Sequence, residues 1–217
     1  MGVAPIHKLG QGKPKKPSLD VAGGRTDAAD MTTSATVDAT VLTERMRALV
    51  GEIREVVGRG LPPELTAYLV GERLAPHLGA GQLLTAAQQE ADPQCYRQHV
   101  LHAEPDGSFS LVALVWLPGQ CTPIHDHVSW CVAGVHQGQE SERRYRLVSD
   151  GRTGRLVATE DVLGPQGSVA AFAPPGDIHQ VRNAGTTLAV SLHVYGADVG
   201  RLGTSIRRVY RLPADEG

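Results

Sequence analysis

The 217-residue sequence lacks any run of 18 or more apolar residues, so no segment is long enough to cross a bilayer as a helix. Its N-terminal lysines are not followed by an apolar stretch, which argues against a signal peptide. Basic and acidic residues nearly balance, at 21 and 23, and a chain without a basic excess offers nucleic acid no attractive surface. We therefore expect a protein that binds neither membranes nor nucleic acid.

Cysteine and aromatic residues are also scarce. The three cysteines, Cys95, Cys121 and Cys131, show no zinc-type spacing and cannot all pair with one another. Free thiols suit a reducing compartment, so the sequence predicts a cytoplasmic location. Aromatic residues make up only 4% of the chain, whereas glycine (25) and proline (14) are plentiful, which indicates many turns.

Composition and periodicity divide the first part of the chain in two. Residues 1–32 have no hydrophobic period and are rich in Gly, Pro, Lys and Asp, which predicts a disordered N-terminal extension. Residues 33–94 carry apolar residues at three- and four-residue steps, which predicts a helical segment. Its helices are expected over residues 38–59, from Pro62 to Leu74, and through Leu83, Leu84 and Ala87.

From residue 95 to residue 217 the period changes from helical to strand-like. Eight short apolar or alternating segments are separated by turn residues such as Pro118-Gly119 and Pro175-Gly176. Short strands at this spacing predict a sandwich or a barrel. The sequence therefore predicts a mainly β protein, in which a barrel is preceded by an N-terminal helical segment that packs on it.

The stretch PIHDHVSWCVAGVHQG, residues 123–138, indicates a metal site. Residues i and i+2 of an extended segment point to the same side, so His125 and His127 project together, as two ligands of one metal must. A third histidine, His179, follows a turn that can direct its strand back toward this pair. Nitrogen ligands suit iron, although they suit several other metals too.

These residues resemble the two signature motifs of the cupin superfamily. The first motif is carried by Gly119, His125, His127 and Gly138. The second is carried by Gly167, Pro174, Gly176, His179 and Asn183, with the proline one residue further from its glycine than usual. The resemblance implies a double-stranded β-helix barrel over residues 95–217 that holds a metal through His125, His127 and His179. The glutamate ligand of many cupins would fall at or next to Cys131 and is missing.

A ligand set of three histidines without a carboxylate is similar to that of the thiol dioxygenases of the cysteine dioxygenase type I group, which hold ferrous iron in this way. The strand SLHVYG places Ser191, His193 and Tyr195 at alternate positions and resembles the Ser-His-Tyr triad beside that iron. The resemblance implies an Fe(II) enzyme that adds O2 to the sulfur of a small thiol, with L-cysteine as the favoured substrate and cysteine sulfinic acid as product. Tyr195 would bond to the oxygen or to the substrate, with His193 and Ser191 orienting its hydroxyl.

Cys131 lies where animal cysteine dioxygenases carry a cysteine that forms a thioether with the triad tyrosine. Many bacterial members have glycine there, and the loop after His127 is as short here as it is in those members. The resemblance implies a Cys131–Tyr195 cross-link. The alternative is a small buried cysteine that only fills the core, since free cysteine is among the most buried residue types.

A substrate carboxylate needs a donor, and the adjacent residues Arg97 and Gln98 are the candidates. Neighbours on a strand point to opposite faces, so only one of them can face inward. Cysteine dioxygenases carry an arginine in this region, whereas 3-mercaptopropionate dioxygenases carry a glutamine. An ungapped alignment with the bacterial form puts Arg97 at the position of the carboxylate-binding residue. This favours Arg97 as the substrate-binding residue and an α-amino acid thiol such as cysteine as the substrate.

Other functions stay open on the sequence. The same residues fit a dioxygenase of 3-mercaptopropionate or cysteamine, and a specialised cysteine-oxidising cupin. A cupin enzyme for a substrate that is not a thiol is less compatible with the Ser-His-Tyr strand. A non-catalytic metal-binding cupin sensor has less reason to retain three histidine ligands. The sequence indicates no oligomeric state.

Overall fold

The computed structural model describes residues 42–149 and 154–215, so the predicted disordered extension lies outside the described residues. The first helix, α1 (Glu44–Val57), begins where the Thr43 hydroxyl accepts a hydrogen bond from the Met46 N–H at 3.1 Å and ends at Gly58. The predicted start of this helix at residue 38 also falls outside the described range. Its apolar stripe is buried against the barrel and consists of Met46, Leu49, Val50, Ile53 and Val56.

The second helix, α2 (Pro63–Leu74), begins at the predicted prolines but buries smaller residues than its leucine pattern suggests. Leu65 and Tyr68 are 44% and 58% exposed. The buried residues are Thr66, Ala67, Val70, Gly71 and Leu74. A Cβ at Gly71 would lie 3.2 Å from Val169 Cγ1, so glycine permits the close approach of helix and sheet.

The third predicted helix is wrong, because only a single 3-10 turn forms at Ala87–Gln89. The Thr85 N–H donates to Gln88 Oε1 at 2.9 Å, and this local bond stabilises a turn in place of a helix. Leu83 and Leu84 are nevertheless buried in the core that α1 and α2 also line. Their apolar character therefore reflects tertiary packing.

Strands follow from residue 97 onward, and each of the eight predicted segments contains one. They are β1 (Arg97–Ala103), β2 (Ser110–Trp116), β3 (His125–His127), β4 (Cys131–Gln137), β5 (Gln139–Ser149), β6 (Gly154–Pro165), β7 (Val169–Phe172), β8 (His179–Asn183), β9 (Ala189–Tyr195), β10 (Ile206–Val209) and β11 (Ala214–Asp215). A short helix, α3 (Val199–Leu202), lies between β9 and β10. The sequence prediction did not include α3, β10 or β11.

The strands form two sheets, with orders β1-β2-β9-β4-β7 and β10-β3-β8-β5-β6-β11. Their pairings are antiparallel, apart from the parallel pair of β6 and β11. Successive strand residues point to opposite faces. In the five-stranded sheet one face therefore packs on the helices, through residues such as Val115 and Leu192. The other face looks into the barrel, where Leu114, Trp116 and Tyr195 cluster.

This arrangement confirms a mainly β fold preceded by a helical segment. No helix in residues 42–149 and 154–215 is both long and apolar enough to cross a membrane.

Candidate metal centre

The three histidines predicted as metal ligands meet inside the barrel. His125 and His127 lie on β3, and His125 pairs directly with His179 at the start of β8. One nitrogen atom from each ring lies within 4.8 Å of the others, and the ring centroids are 4.7 to 4.9 Å apart. All three side chains are buried. Three nitrogen donors therefore converge from two neighbouring strands.

On β3, the Nδ1 atom of each histidine is held by an oxygen atom. His125 Nδ1 lies 2.9 Å from the Pro123 carbonyl oxygen, and His127 Nδ1 lies 3.0 Å from Asp177 Oδ2. The backbone N–H of His127 also donates to Asp177 Oδ2 at 3.0 Å. An Nδ1 that faces an acceptor carries the proton, which leaves the lone pair on Nε2 for a metal.

The third ring is fixed in the same manner from β5. His179 Nδ1 lies 2.8 Å from Glu142 Oε1, and the other carboxylate oxygen of Glu142 accepts from Arg144 Nη2 at 3.1 Å. Burial raises the pKa of Glu142, but the bonds from His179 and Arg144 outweigh this effect and leave its pKa lowered. Glu142 is thus a carboxylate that orients a ligand, an arrangement common around protein-bound metals.

These donors fit a metal ion. Among the described residues, His179 Nε2 is a buried polar atom without a hydrogen-bond partner. Such atoms are rare in folded proteins unless an ion or ligand satisfies them. Burial, reinforced by the neighbouring histidines, lowers the pKa of His125 well below its usual value. Burial likewise lowers the pKa of His127, so both rings are neutral, as metal ligands must be.

Replacing Asp177 with alanine is expected to weaken metal binding about 10- to 100-fold, because an orienting carboxylate contributes on that scale. The His127 ring would lose the acceptor that fixes its tautomer, while all three ligands remain. Competition with a chelator measures the affinity. Asp161→Ala removes an exposed carboxylate paired with Arg143 and serves as the matched control. Equal affinities for both variants would contradict the orienting role of Asp177.

A chain of hydrogen bonds lies beside the histidines on the inner face of β9. The Ser191 hydroxyl is 3.0 Å from His193 Nε2, and His193 Nδ1 is 3.2 Å from the Tyr195 hydroxyl. The Tyr195 ring centroid lies 6.1 Å from that of His127, so the chain ends next to the metal ligands. Burial raises the pKa of Tyr195 well above its usual value, which keeps the phenol protonated.

Cys131 lies directly opposite Tyr195 in the antiparallel pair of β4 and β9. It is 1% exposed, and its other strand neighbour is Phe172, whose ring is 5.1 Å from the ring of His179. Burial raises the pKa of the Cys131 thiol well above its usual value. The structure thus brings together the two residues that the sequence predicts to be cross-linked, and the cross-link itself stays a prediction.

The structure places Arg97 and Gln98 on opposite faces of β1. Arg97 lies opposite Val115 on the face of β1 that meets the helices, and its guanidinium pairs with Glu90 at 3.4 Å. Gln98 lies opposite Leu114 on the inner face, and it bonds to the Tyr96 side chain. The alternation of strand residues therefore turns Gln98 inward and Arg97 outward.

Sequence reasoning missed the carboxylates that hold the three histidines and their strand in position. Asp177 lies two residues before His179, and Glu142 lies on a strand whose alternating charges suggest only an exposed edge. Asp126, between the two β3 histidines, is 1% exposed and accepts bonds from Arg207 at 2.6 Å and Tyr210 at 2.8 Å. Arg207 on β10 thus fixes β3 to β10.

The two mainly antiparallel sheets and the histidine site inside them define a cupin. A sequence model of the family Cysteine dioxygenase type I matches residues 86–201, which is more than half of the chain. The chain therefore belongs to the cysteine dioxygenase type I family. The match includes the three histidines, Cys131 and the Ser-His-Tyr strand.

The chain is also similar to solved structures that share less than 25% of its sequence. The protein TT1209 from Thermus thermophilus is 23% identical, with a TM-score of 0.38 over 51% of this chain and 91% of that one. A Cupin 2 conserved barrel domain protein from Salinispora arenicola is 24% identical, with a TM-score of 0.36 over 52% and 83%. An RmlC-like cupin from Desulfovibrio desulfuricans is 24% identical, with a TM-score of 0.38 over 55% and 98%. The family assignment rests on the family match.

Proposed function

We propose that this protein is an Fe(II)-dependent thiol dioxygenase that converts a small thiol to a sulfinic acid. Three buried histidines support this proposal, and oxygen acceptors hold the Nδ1 atom of each ring. One ring nitrogen of each histidine lies close to those of the other two, and a Ser-His-Tyr hydrogen-bond chain lies beside them. A bound Fe(II) would supply the redox chemistry that allows O2 to react with a thiolate. The partners are thus a small thiol and O2.

The protein's own residues would bind and orient the reactants. Tyr195 keeps its proton at neutral pH, so its hydroxyl is available to hydrogen-bond an oxygen atom or a substrate carboxylate. His193 Nδ1 holds that hydroxyl through a bond of 3.2 Å, and Ser191 in turn holds His193 Nε2 through a bond of 3.0 Å. Phe172 and Cys131 cover the site from β7 and β4 and limit the access of water.

The inward position of Gln98 favours 3-mercaptopropionate over L-cysteine as the substrate. A glutamine amide donates hydrogen bonds to a carboxylate without carrying a charge. Thiol dioxygenases that act on 3-mercaptopropionate carry a glutamine in this region, whereas those that act on cysteine carry an arginine. Arg97, the residue that would favour cysteine, is paired with Glu90 on the opposite face of β1.

Replacing Gln98 with alanine is expected to raise KM for 3-mercaptopropionate about tenfold, because a hydrogen bond to a charged group contributes about 1.5 kcal/mol. KM for cysteamine, which has no carboxylate, should change little. Arg97→Ala is the matched control and should leave both KM values nearly unchanged. Steady-state oxygen uptake measures all of them. A large effect of Arg97→Ala that is specific for carboxylate-bearing thiols would return the role to Arg97.

The function is tested by metal analysis combined with oxygen uptake. Purified protein is expected to contain about one iron per chain, and to consume O2 with at least one of 3-mercaptopropionate, L-cysteine and cysteamine. Protein that binds iron but consumes no O2 with any of these thiols would contradict the proposal. We also propose a cytoplasmic location, since Cys95, Cys121 and Cys131 are all free thiols.

A further inference from the structure

Glu140 is a buried carboxyl group that has no role in the proposed metal or thiol binding. It lies on β5, two residues before Glu142, and points to the same inner face of the barrel. It is 6% exposed, and within the described residues its Oε1 atom has no hydrogen-bond partner. A buried carboxyl without full hydrogen bonding is costly to keep, which calls for an explanation of its presence.

Glu140 lies at the far end of the Ser-His-Tyr chain. Its carboxyl interacts with the Ser191 side chain, and its negative charge contributes to the raised pKa of the Tyr195 phenol. The Ser191 oxygen accepts a hydrogen bond from Trp116 Nε1 at 3.1 Å. Because indole N–H can only donate, one acceptor site of the Ser191 hydroxyl is permanently occupied. Ser191 therefore has one proton to give, either to Glu140 or to His193.

An ionised Glu140 fixes the direction of the whole chain. A carboxylate only accepts, so it takes the Ser191 proton. His193 Nε2 must then carry a proton and donate it to Ser191, which leaves Nδ1 as an acceptor. The Tyr195 hydroxyl, 3.2 Å from that Nδ1, donates to it and has no proton left for the metal site.

When Glu140 is protonated, donor and acceptor exchange roles in each hydrogen bond of the chain from Glu140 to Tyr195. Its O–H donates to Ser191, and Ser191 donates to His193 Nε2. His193 must then carry its proton on Nδ1 and donate it to the Tyr195 oxygen. The Tyr195 O–H is released from His193, and it can donate to a bound substrate or oxygen, or to Ser205, which also interacts with this phenol.

We propose that Glu140 is a positioning residue whose protonation state selects the tautomer of His193 and so decides whether Tyr195 offers the metal site a proton or a lone pair. Its effect on turnover rests on the proposed function. The exchange of the His193 tautomer does not rest on the proposed function, because it involves only hydrogen bonds within this protein.

The electrostatics agree with such a switch near neutral pH. Burial raises the pKa of Glu140 to about 7, in spite of the opposing bond from Ser191, and the nearby Glu142 carboxylate adds to the rise. Burial, together with His127 and His179, lowers the pKa of His193 to about 3, so the ring stays neutral and can respond only by changing tautomer. The strand neighbours of Glu140, Asn183 on β8 and Gly164 on β6, carry no charge.

The direct test is a 15N nuclear magnetic resonance titration of the full chain, labelled at histidine and loaded with Zn2+ as a diamagnetic metal. The shifts of Nδ1 and Nε2 report which nitrogen carries the proton. In the wild type we expect the His193 proton to be on Nδ1 below about pH 6 and on Nε2 above about pH 8, because Glu140 titrates between them. Neither nitrogen should show the shift of a charged ring.

The matched variant is Glu140→Gln, whose amide has the same shape, donates to Ser191 and does not titrate. It should hold His193 as the Nδ1–H tautomer at every pH. If the protein is a thiol dioxygenase, we expect kcat of the wild type to show a step near neutral pH and kcat of the variant to show none. Glu160→Gln, an exposed carboxyl on β6, should leave the titration unchanged.

A His193 tautomer that does not change between these pH values in the wild type would overturn the proposal. So would a change that persists in Glu140→Gln. The test also separates this inference from the proposed function. Tautomer exchange in a protein without thiol oxidation would reject the dioxygenase and keep the switch, whereas thiol oxidation with a fixed tautomer would do the reverse.

Discussion

Replacing His179 with alanine is expected to weaken iron binding more than about 100-fold, which exceeds the usual effect of losing a group that only supports a ligand. His179 supplies one of three converging nitrogens, and its Glu142 partner would be left as a buried carboxylate without that bond. Oxygen uptake should fall with the iron content. Metal analysis of the purified variant, followed by uptake after addition of Fe(II), measures both effects.

The control for this variant is His102→Ala. His102 is a partly buried histidine on β1 that bonds to Glu104 at 3.0 Å and takes no part in the site. Its replacement should leave the iron content unchanged. Full iron occupancy in the His179→Ala protein would show that the third ligand is misassigned. The same loss of iron in both variants would point to a general loss of folding.

Replacing Tyr195 with phenylalanine is expected to reduce kcat by about 100-fold or more, because a positioned proton donor contributes on that scale. The ring and its packing against β4 would remain, and only the hydroxyl beside the site would be lost. Cys131→Gly should stay active, since glycine serves at this position in related bacterial enzymes. Steady-state kinetics of both variants at saturating thiol and O2 give the comparison.

The same pair of residues is expected to form a thioether during turnover. The sulfur of Cys131 and a ring carbon of Tyr195 would become bonded, and the thiol hydrogen and the ring hydrogen would leave as two protons and two electrons that O2 accepts. Peptide mass spectrometry should then show a linked peptide that is lighter by about two hydrogens than the sum of its parts. A fully active enzyme with an unmodified Cys131 peptide would make the thiol ordinary core packing.

The parts of the fold that were predicted correctly depend on local patterns. Alternation of apolar residues located eight strands, and the i, i+2 spacing placed His125 and His127 on one side of β3. Ser191, His193 and Tyr195 share a face of β9 for the same reason. These features need no knowledge of distant contacts, because a strand fixes the direction of its side chains by itself.

The parts that were missed depend on tertiary packing. Leu83 and Leu84 were assigned to a helix, yet they are buried by contacts with α1 and α2 instead of by a helical stripe. The inward position of Gln98 depends on the register of β1 against β2, which the sequence of β1 alone does not determine. In the sequence of β5, Glu140 and Glu142 resemble charges on an exposed strand. They are buried because the two sheets pack face to face and this face of β5 points into the barrel.

The proposed function requires that the three-histidine site oxidise thiol sulfur with both atoms of O2. The most direct test is turnover of 3-mercaptopropionate and L-cysteine under 18O2, with the products identified by mass spectrometry. We expect a sulfinic acid in which both sulfinate oxygens carry the label. A disulfide with hydrogen peroxide, or a product whose oxygen comes from water, would contradict it.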